Sequence, residues 1–430
     1  MRAIALTIVV FGLLPLILYR PYVGILVWSW LGYMNPHKFA YGFAAQMPYA
    51  FIVAIVTLVA MLLSKEPKRI PWTRETILLA VLIAWMFMTT VFSLYPWLAW
   101  EQWDKVWRVM LMTYVTMMLI NNEHRLKVLV FVIALSLGYF GFKGGIFVFR
   151  TGGNYAVMGP EGSFIGDRNS IGLALIMTVP LLYFMYLQMR HWYLRYAVLA
   201  GTGLTLVAIV GTQSRGALVG ITAMLLFYLL KARRKLVAIL AIIPLAFVVY
   251  NVMPEKWFDR METIQNWEQD GSASERVRAW NNAIDLANVR LIGGGMRALV
   301  HWGGRDAHSI YFGMLGEHGW VGLAMFLLLL FFTWRSASWV IRQCKGRAEL
   351  DWARDLSAMV QVSLVGYMAA GSFLALQYFD LFYHLVAIVV MTRVVVTGHV
   401  AQTAAVPVAA STRPRSPPLV HGRPVVQRPT

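Results

Sequence analysis

The sequence has little cysteine and little charge, two things that chains of this size commonly use for stability and solubility. A single cysteine, Cys344, among 430 residues excludes an intramolecular disulfide and a four-thiolate metal site. Charged residues make up 13% of the chain and hydrophobic residues 59%, whereas soluble domains are about 25% charged. The composition predicts a membrane protein that is stabilised by helix packing.

Acidic residues are also scarce, because 20 Asp and Glu stand against 38 Lys and Arg, for a net charge of +18. Such an excess can indicate nucleic acid, anionic lipid or membrane topology as its cause. Here the basic residues concentrate in every second connector between apolar runs, at residues 65–74, 125–127, 190–195, 231–235 and 335–354. By the positive-inside rule these connectors face the cytoplasm, and no nucleic-acid partner is expected.

Eleven apolar runs approach the roughly 20 residues that cross a bilayer. They fall near residues 48–64, 76–94, 106–120, 127–148, 169–188, 195–212, 214–230, 235–252, 309–333, 356–376 and 381–397. Residues 3–34 add two shorter pieces that Arg20 and Pro21 separate, and no small-residue cleavage site indicates a removed signal peptide. We predict an all-α polytopic membrane protein with about twelve crossings and both termini inside; thirteen, with the N-terminus outside, is the alternative.

The remaining connectors, about 95–105, 149–168, 212–215, 253–307 and 377–380, then face outward. Residues 253–307 carry eight acids and seven bases, so this loop is almost neutral. Trp280, Ala283, Ile284 and Ala287 recur at helical spacing, which predicts an amphipathic helix from near Ser274 to the glycines at 293–295. A loop of this length with its own helix is typical of a functional segment.

Three parts follow from this organisation. Residues 1–150 are predicted to form N-terminal transmembrane helices, and residues 151–398 a core with further transmembrane helices and the outward loop. Residues 399–430 interleave proline with arginine and are predicted to be a disordered cytoplasmic tail.

Two outward positions are the main candidates for chemistry. His308 directly precedes an apolar run, and a histidine there can accept a proton near neutral pH. A polar residue that helps to start the helix is the alternative interpretation. Arg215 lies in a very short turn, residues 212–216, between two apolar runs. A cation held at the outer boundary opposes the topological rule, which favours a functional role over a snorkelling charge.

Four further cations lie on the same predicted face. Arg168 precedes an apolar run, where a helix N-terminus and a guanidinium can together bind an anion; local pairing beside a helix cap at Asp167 and Asn169 is the alternative. Arg276 and Arg278 open the loop helix against its dipole, unless Glu275 or Asp270 pairs with them. Lys143 lies in the outer half of its run, and snorkelling is the alternative for it.

One potential base and several outward arginines suit a diphosphate carried on a lipid, because arginine binds phosphate oxygens bidentately and stabilises charge on a leaving group. The outward connectors contain no Asp-x-Asp and no histidine cluster with metal-ligand spacing, and the chain has no Gly-x-x-x-x-Gly-Lys motif. We therefore expect no metal ion and no cofactor. A transporter of lipid-linked sugars is an alternative of another class, but it requires charges along a path through the bilayer.

Several motifs resemble those of the bacterial O-antigen ligase family, within the ligase and polymerase superfamily that includes exosortase-associated O-glycosylation ligases. His308 and Ser309, followed after nine residues by Gly319 and Gly322, are similar to the family's histidine motif. The turn at 214–216 is similar to its short arginine loop, residues 274–295 to its large periplasmic loop, and residues 166–169 to a Gly-x-x-Asn helix start. The resemblance covers about residues 150–395.

The resemblance implies an inverting, metal-independent glycosyltransferase of the GT-C-like membrane type in the bacterial inner membrane. It would move polysaccharide from undecaprenyl diphosphate to the lipid A-core oligosaccharide at the periplasmic face, in lipopolysaccharide biosynthesis. His308 would be the general base, and Arg215 and Arg276 would hold the diphosphate with Arg168 assisting. Arg278 and Lys143 are the outer candidates for the same role. An O-antigen polymerase and a protein O-oligosaccharyltransferase share this logic and remain alternatives.

Overall fold

The computed structural model describes residues 2–40, 42–231, 243, 246–262 and 271–405, and within these ranges the regular structure is helical. The first ten helices are α1 (Arg2–Tyr19), α2 (Pro21–Met34), α3 (Phe43–Gln46), α4 (Tyr49–Leu63), α5 (Arg74–Val91), α6 (Pro96–Leu119), α7 (Glu123–Thr151), α8 (Arg168–Gln188), α9 (Trp192–Gly211) and α10 (Arg215–Lys231). They are followed by α11 (Glu255–Glu262), α12 (Gly271–Val289), α13 (Ala298–Trp302), α14 (Ile310–Gln343), α15 (Asp351–Gly371) and α16 (Asp380–Ala405).

Every apolar run within the described ranges coincides with one of these helices, which confirms the all-α polytopic membrane fold. Seven described helices are long and apolar enough to cross a membrane: α1, α5, α7, α8, α9, α14 and most of α16. The run at 235–252 lies mostly outside the described residues, so the number of about twelve crossings stays a prediction. The tail prediction also falls mostly outside them, although α16 extends to Ala405.

Helix α6 corrects one boundary. The sequence predicts an outward connector at about 95–105, but residues 96–105 form the first turns of this helix. Two ion pairs at i,i+4 spacing partly neutralise the charges, Lys105 with Glu101 at 3.0 Å and Arg108 with Asp104 at 2.7 Å. A helix can therefore continue through a charged segment that an apolar-run criterion excludes.

The predicted outward connectors meet on one side of the helix bundle, which we call the loop face and define by the described residues 92–95, 152–167, 212–214, 253–262, 271–309 and 372–379. Leu94 N donates to Gly294 O at 2.9 Å, and Val157 N donates to Gly211 O at the same distance. The Gln213 amide donates to Gly153 O at 2.8 Å. Hydrogen bonds between distant connectors thus bring together the segments that carry the candidate residues.

The basic connectors contact one another at the other ends of the same helices. Arg125 binds Glu66 through two hydrogen bonds of 2.7 and 2.9 Å, which joins the α4–α5 connector to the start of α7. The ammonium of Lys127 lies 5.5 Å from the ring centre of Trp352, near the start of α15. Successive connectors therefore alternate between the two ends of the helices, as the charge pattern predicts.

Small residues let the helices that carry the loop face approach closely. A Cβ added at Gly220 of α10 would lie 2.6 Å from the Cβ of Ala370 in α15, and one at Gly172 of α8 would lie 2.9 Å from the Cβ of Ala217 in α10. Because such contacts leave no room for a methyl group, α8, α10 and α15 form a tightly packed unit. Their ends on the loop face have fixed relative positions.

Candidate functional site

Four arginines form a cluster on the loop face, and we call Arg168, Arg215, Arg260 and Arg276 the arginine cluster. They come from the starts of α8 and α10 and from two helices of the loop, α11 and α12. All four side chains are half-buried. Burial, together with the positive charges of Arg168 and Arg215, lowers the pKa of Arg260. Burial and the same two charges lower the pKa of Arg276.

A polar turn holds Arg215 at the start of α10. Gln213 has a left-handed backbone with φ +52°, and the Ser214 hydroxyl accepts a hydrogen bond from Ala217 N at 3.2 Å. Ser214 therefore begins the helix, and Arg215 is its first residue. The turn, residues 212–214, is shorter than the predicted 212–216, and it leaves the guanidinium at the boundary between helix and loop.

The start of α8 holds Arg168. The Asp167 carboxylate accepts hydrogen bonds from Asn169 N at 2.8 Å and Ser170 N at 3.2 Å. Asp167 is thus the helix cap that the alternative interpretation expected. That interpretation does not exclude an anion-binding role, because the positive charge of Arg168 still acts on Arg215 and on the two loop arginines.

The neighbours of Arg276 differ from those that its alternative interpretation required. Among the described residues, the ion pair of Glu275 is with Arg305, and Asp270 lies outside the described residues. Arg278 is exposed, and its position two residues further along α12 directs it about 200° away from Arg276. Lys143 is exposed on α7, with its ammonium 5.4 Å from the ring centre of Phe39. The structure brings neither Arg278 nor Lys143 into the arginine cluster.

His308 directly precedes α14 in a left-handed backbone conformation, with φ +44°. The next residue, Ser309, is buried and caps the helix by accepting from Tyr311 N at 3.3 Å. On the other side, the Trp280 indole donates to Ala307 O at 3.0 Å and stacks on Phe312 with ring centres 4.9 Å apart. The His308 side chain is exposed, while the backbone on both sides of it is held in place.

Trp280 and Phe373 connect His308 to the arginine cluster. Trp280 lies one turn after Arg276 on α12, and its ring centre is 6.5 Å from that of Phe373. Phe373 in turn packs against the turn of Arg215, since a Cβ added at Gly216 would lie 3.1 Å from the Cβ of Phe373. Two aromatic rings therefore join the segment before His308 to two members of the cluster.

His308 lines a cavity of about 310 Å³, which we call the His308 cavity. Its wall includes Asp167, Asn169 and Ser170 from the start of α8, together with Asp306, Arg297 and Glu317. Residues 374–378, between α15 and α16, close another side. Arg168 and this cavity thus share the first turn of α8.

Glu317 is part of a buried hydrogen-bonded chain behind the cavity. Its carboxylate accepts from Tyr378 Oη and from Arg297 N, the latter at 2.8 Å. Tyr378 gives its single hydrogen to this carboxylate, so His318 Nε2, 2.6 Å away, donates to the phenol oxygen. Thr89 contacts the other ring nitrogen of His318 at 2.6 Å. Burial and the charge of Glu317 raise the pKa of Tyr378 well above its ordinary value.

Gly319 and Gly322 are required by close backbone contacts. Gly319 has φ +68° and interrupts α14, and a Cβ there would lie 1.9 Å from Leu291 O. A Cβ at Gly322 would lie 2.3 Å from the Cβ of His318. The loop glycines continue this contact, because Gly294 N donates to Gly316 O and Gly295 N to Glu317 O, both at 2.9 Å. The glycine spacing after His308 thus docks the loop against α14.

Residues 200–327, which contain Arg215, Arg260, Arg276 and His308, match the family model of the O-antigen ligases. This stretch is an O-antigen ligase domain by its similarity to that family. Residues 1–190 match a second model, DUF5935, which is described as a family of unknown function. A search of curated proteins finds no match.

The O-antigen ligase domain supports a glycosyltransferase of the ligase and polymerase superfamily in a multi-pass membrane protein, with a lipid-linked polysaccharide among its substrates. This domain supplies three of the four clustered arginines. It also supplies His308 and Glu317, which line the His308 cavity. Arg168 and its neighbours come from the second matched region. The two matched regions therefore share one face of the molecule.

Sequence reasoning missed two contributors to this face. Arg260 is one of the seven bases of the loop, and nothing in its spacing links it to Arg168 or Arg215. Glu317 carries a signal in the sequence, because an acidic residue inside a long apolar run indicates function by default. It is one of the nine residues between Ser309 and Gly319, where the histidine motif specifies no residue type.

Proposed function

We propose that this protein is an O-antigen ligase that transfers polysaccharide from undecaprenyl diphosphate to the lipid A-core oligosaccharide. The observation that carries the proposal is the arginine cluster, because four half-buried cations on one face favour a ligand with several negative charges. A lipid diphosphate at the outer surface of the inner membrane has this charge. The periplasmic orientation agrees with the basic connectors at the opposite ends of the helices.

In the proposed reaction the acceptor hydroxyl gives its proton to the His308 ring as its oxygen attacks the anomeric carbon of the donor sugar. The bond from that carbon to the diphosphate breaks, and its electron pair goes to the diphosphate oxygen. Arg215, Arg276, Arg168 and Arg260 stabilise the charge on the departing group. Attack opposite the leaving group inverts the anomeric centre.

The test is reconstitution of the purified full chain with undecaprenyl-diphosphate-linked glycan and lipid A-core, in the presence of a metal chelator and without nucleotide. His308→Ala should lower the transfer rate about 10²- to 10⁴-fold, since it removes the base. Arg215→Ala should lower it about 10²- to 10³-fold, because it removes a charge that stabilises the leaving group.

Two exposed residues provide matched controls. His301→Ala removes a histidine of the same loop, whose ring centre is 5.1 Å from that of Tyr95. Arg190→Ala removes an exposed arginine before α9, at the opposite end of that helix from the Arg215 turn. Both should transfer at nearly the wild-type rate. Normal transfer by both His308→Ala and Arg215→Ala would contradict the proposed mechanism.

The acceptor distinguishes the related activities. Elongation of a second lipid-linked glycan, instead of transfer to lipid A-core, identifies a polymerase, and transfer to a protein identifies an O-oligosaccharyltransferase. Movement of lipid-linked sugar across vesicles without formation of a glycosidic bond identifies a transporter.

A further inference from the structure

One wall of the His308 cavity holds buried polar atoms that diphosphate binding does not use. Glu317 is 4% exposed, and its carboxylate accepts from Arg297 N, Tyr378 Oη and, at 3.4 Å, from Gln377 Nε2. A carboxylate offers about four acceptor positions. Three donors therefore leave capacity for one more hydrogen bond on Glu317, which lines the cavity.

Gln377, which lines the same wall, has a buried oxygen that accepts no hydrogen bond. The residue is 4% exposed, and its Nε2 is directed at Glu317, which fixes the orientation of the amide. Its Oε1 has no partner among the described residues. An unsatisfied buried acceptor is costly, so a ligand that supplies a hydrogen-bond donor here would be favoured.

The cavity as a whole is rich in acceptors. Asp167 and Asp306 add two carboxylates to that of Glu317, whereas Arg297 is the one guanidinium among the lining residues, with its NH1 atom 3.4 Å from a Glu101 oxygen. Three carboxylates disfavour a second phosphate and favour a ligand that carries several hydroxyl groups. Phe164 and Leu376 add apolar surface that suits the C–H face of a sugar ring.

We infer that the His308 cavity is the acceptor-sugar subsite, in which Glu317 and Gln377 accept hydrogen bonds from sugar hydroxyl groups and turn the reacting hydroxyl towards His308. The assignment to the acceptor rests on the proposed function, because the donor sugar is attached to the diphosphate at the arginine cluster and the attacking hydroxyl must reach His308. A volume of about 310 Å³ matches one sugar unit and not a polysaccharide.

The first test uses methyl glycosides of hexoses and heptoses as probes, since they carry hydroxyl groups but neither lipid nor phosphate. Saturation-transfer NMR with the purified full chain in detergent should detect binding to the wild type. Gln377→Leu and the isosteric Glu317→Gln should each weaken it about tenfold or more, because each alters an acceptor. No binding by the wild type, or equal binding by both variants, would overturn the inference.

The second test separates acceptor from donor in the transfer assay. Gln377→Leu should raise the acceptor KM about tenfold and leave the donor KM within about twofold. A rise in the donor KM alone would place the donor sugar in this cavity and overturn the assignment. Transfer with both KM values unchanged would contradict the subsite and leave the proposed function standing. Glycoside binding without transfer would contradict the proposed function and retain the subsite.

Thr89→Val is the control for a structural effect. Thr89 contacts His318 at the end of the buried chain away from Glu317 and does not line the cavity. The variant should lower the melting temperature without changing the acceptor KM. If it raises the acceptor KM as much as Gln377→Leu does, both residues act through the rigidity of the chain, and the direct contact with the sugar is wrong.

Discussion

The arginine cluster and the His308 cavity share the first turn of α8 but have opposite chemical character. Arg168 belongs to the cluster, whereas Asp167, Asn169 and Ser170 line the cavity. Successive residues of a helix point about 100° apart, so one turn can serve two surfaces. Cations thus lie on one side of this helix start and hydrogen-bond acceptors on the other, and under the proposed function this arrangement would hold a charged leaving group next to a neutral nucleophile.

The largest expected effect is on stability, and it comes from a change that disrupts both the arginine cluster and the His308 cavity. Gly319→Ala adds a Cβ that would lie 1.9 Å from Leu291 O at a residue with φ +68°, so α14 and the loop must separate. We expect the free energy of unfolding to fall by about 3 kcal/mol or more, from backbone strain and overpacking together. Thermal unfolding in detergent measures the loss.

Gly346→Ala is the matched control for Gly319→Ala. Gly346 has φ +81°, but among the described residues, apart from its two neighbours in the chain, no atom lies within 4 Å of an added Cβ. Its cost should therefore be the backbone strain alone, about 1–2 kcal/mol. Equal losses for the two variants would show that the contact between the loop and α14 contributes little.

The next largest effect is a loss of transfer rate when the arginine cluster alone is changed. Arg260→Ala should lower the transfer rate about 10²-fold and raise the donor KM, because Arg260 interacts with the charges of Arg168 and Arg215. Lys256→Ala, an exposed charge on the same short helix, should change the rate little. If the two variants behave alike, Arg260 is not part of the diphosphate site. If the acceptor KM rises together with the donor KM, Arg260 affects both surfaces, and the two surfaces do not act separately.

A smaller effect is expected on stability. The members of the arginine cluster repel one another, so inorganic pyrophosphate should stabilise the folded chain by binding between them. We expect the melting temperature to rise by about 2 °C at saturating pyrophosphate. Arg260→Gln should gain less from pyrophosphate, because it removes one of the charges that bind it. An unchanged gain would indicate that pyrophosphate binds elsewhere.

The smallest effects should come from Arg278→Ala and Lys143→Ala. Neither residue is among the charges that lower the pKa values of Arg215, Arg260 and Arg276, and both side chains are exposed. We expect each variant to keep its transfer rate within about threefold of the wild type, as for exposed surface charges. A loss as large as that of Arg260→Ala would extend the cationic surface to these positions.

The helices were predictable because a bilayer imposes a simple requirement, namely about 20 apolar residues for each crossing. The turn at Arg215 and the loop helix near Ser274 followed from equally local signals. The start of α6 did not, because a hydropathy criterion counts its charged side chains and takes no account of the ion pairs, between residues four apart, that partly neutralise them. Local pattern thus determines most of the fold.

The candidate site was predictable only in part. His308, Arg168, Arg215 and Arg276 stood out because a polar group at a helix end is visible in the sequence. Arg260 did not, because its partners lie 45 and 92 positions earlier in the chain. The same holds for Gln377, whose contact with Glu317 spans 60 positions. Such pairings depend on packing that no short window of sequence contains.

The break at Gly319 also decides where the membrane-crossing part of α14 begins. The uncharged part after it, residues 320–334, has 15 residues, and at 1.5 Å per residue it is about 22 Å long, less than the roughly 30 Å of hydrocarbon in a bilayer. The crossing therefore also needs residues before the break. Glu317 lies among these residues, but it is 4% exposed and accepts hydrogen bonds from Arg297 N and Tyr378 Oη, so protein and not lipid surrounds the acidic side chain.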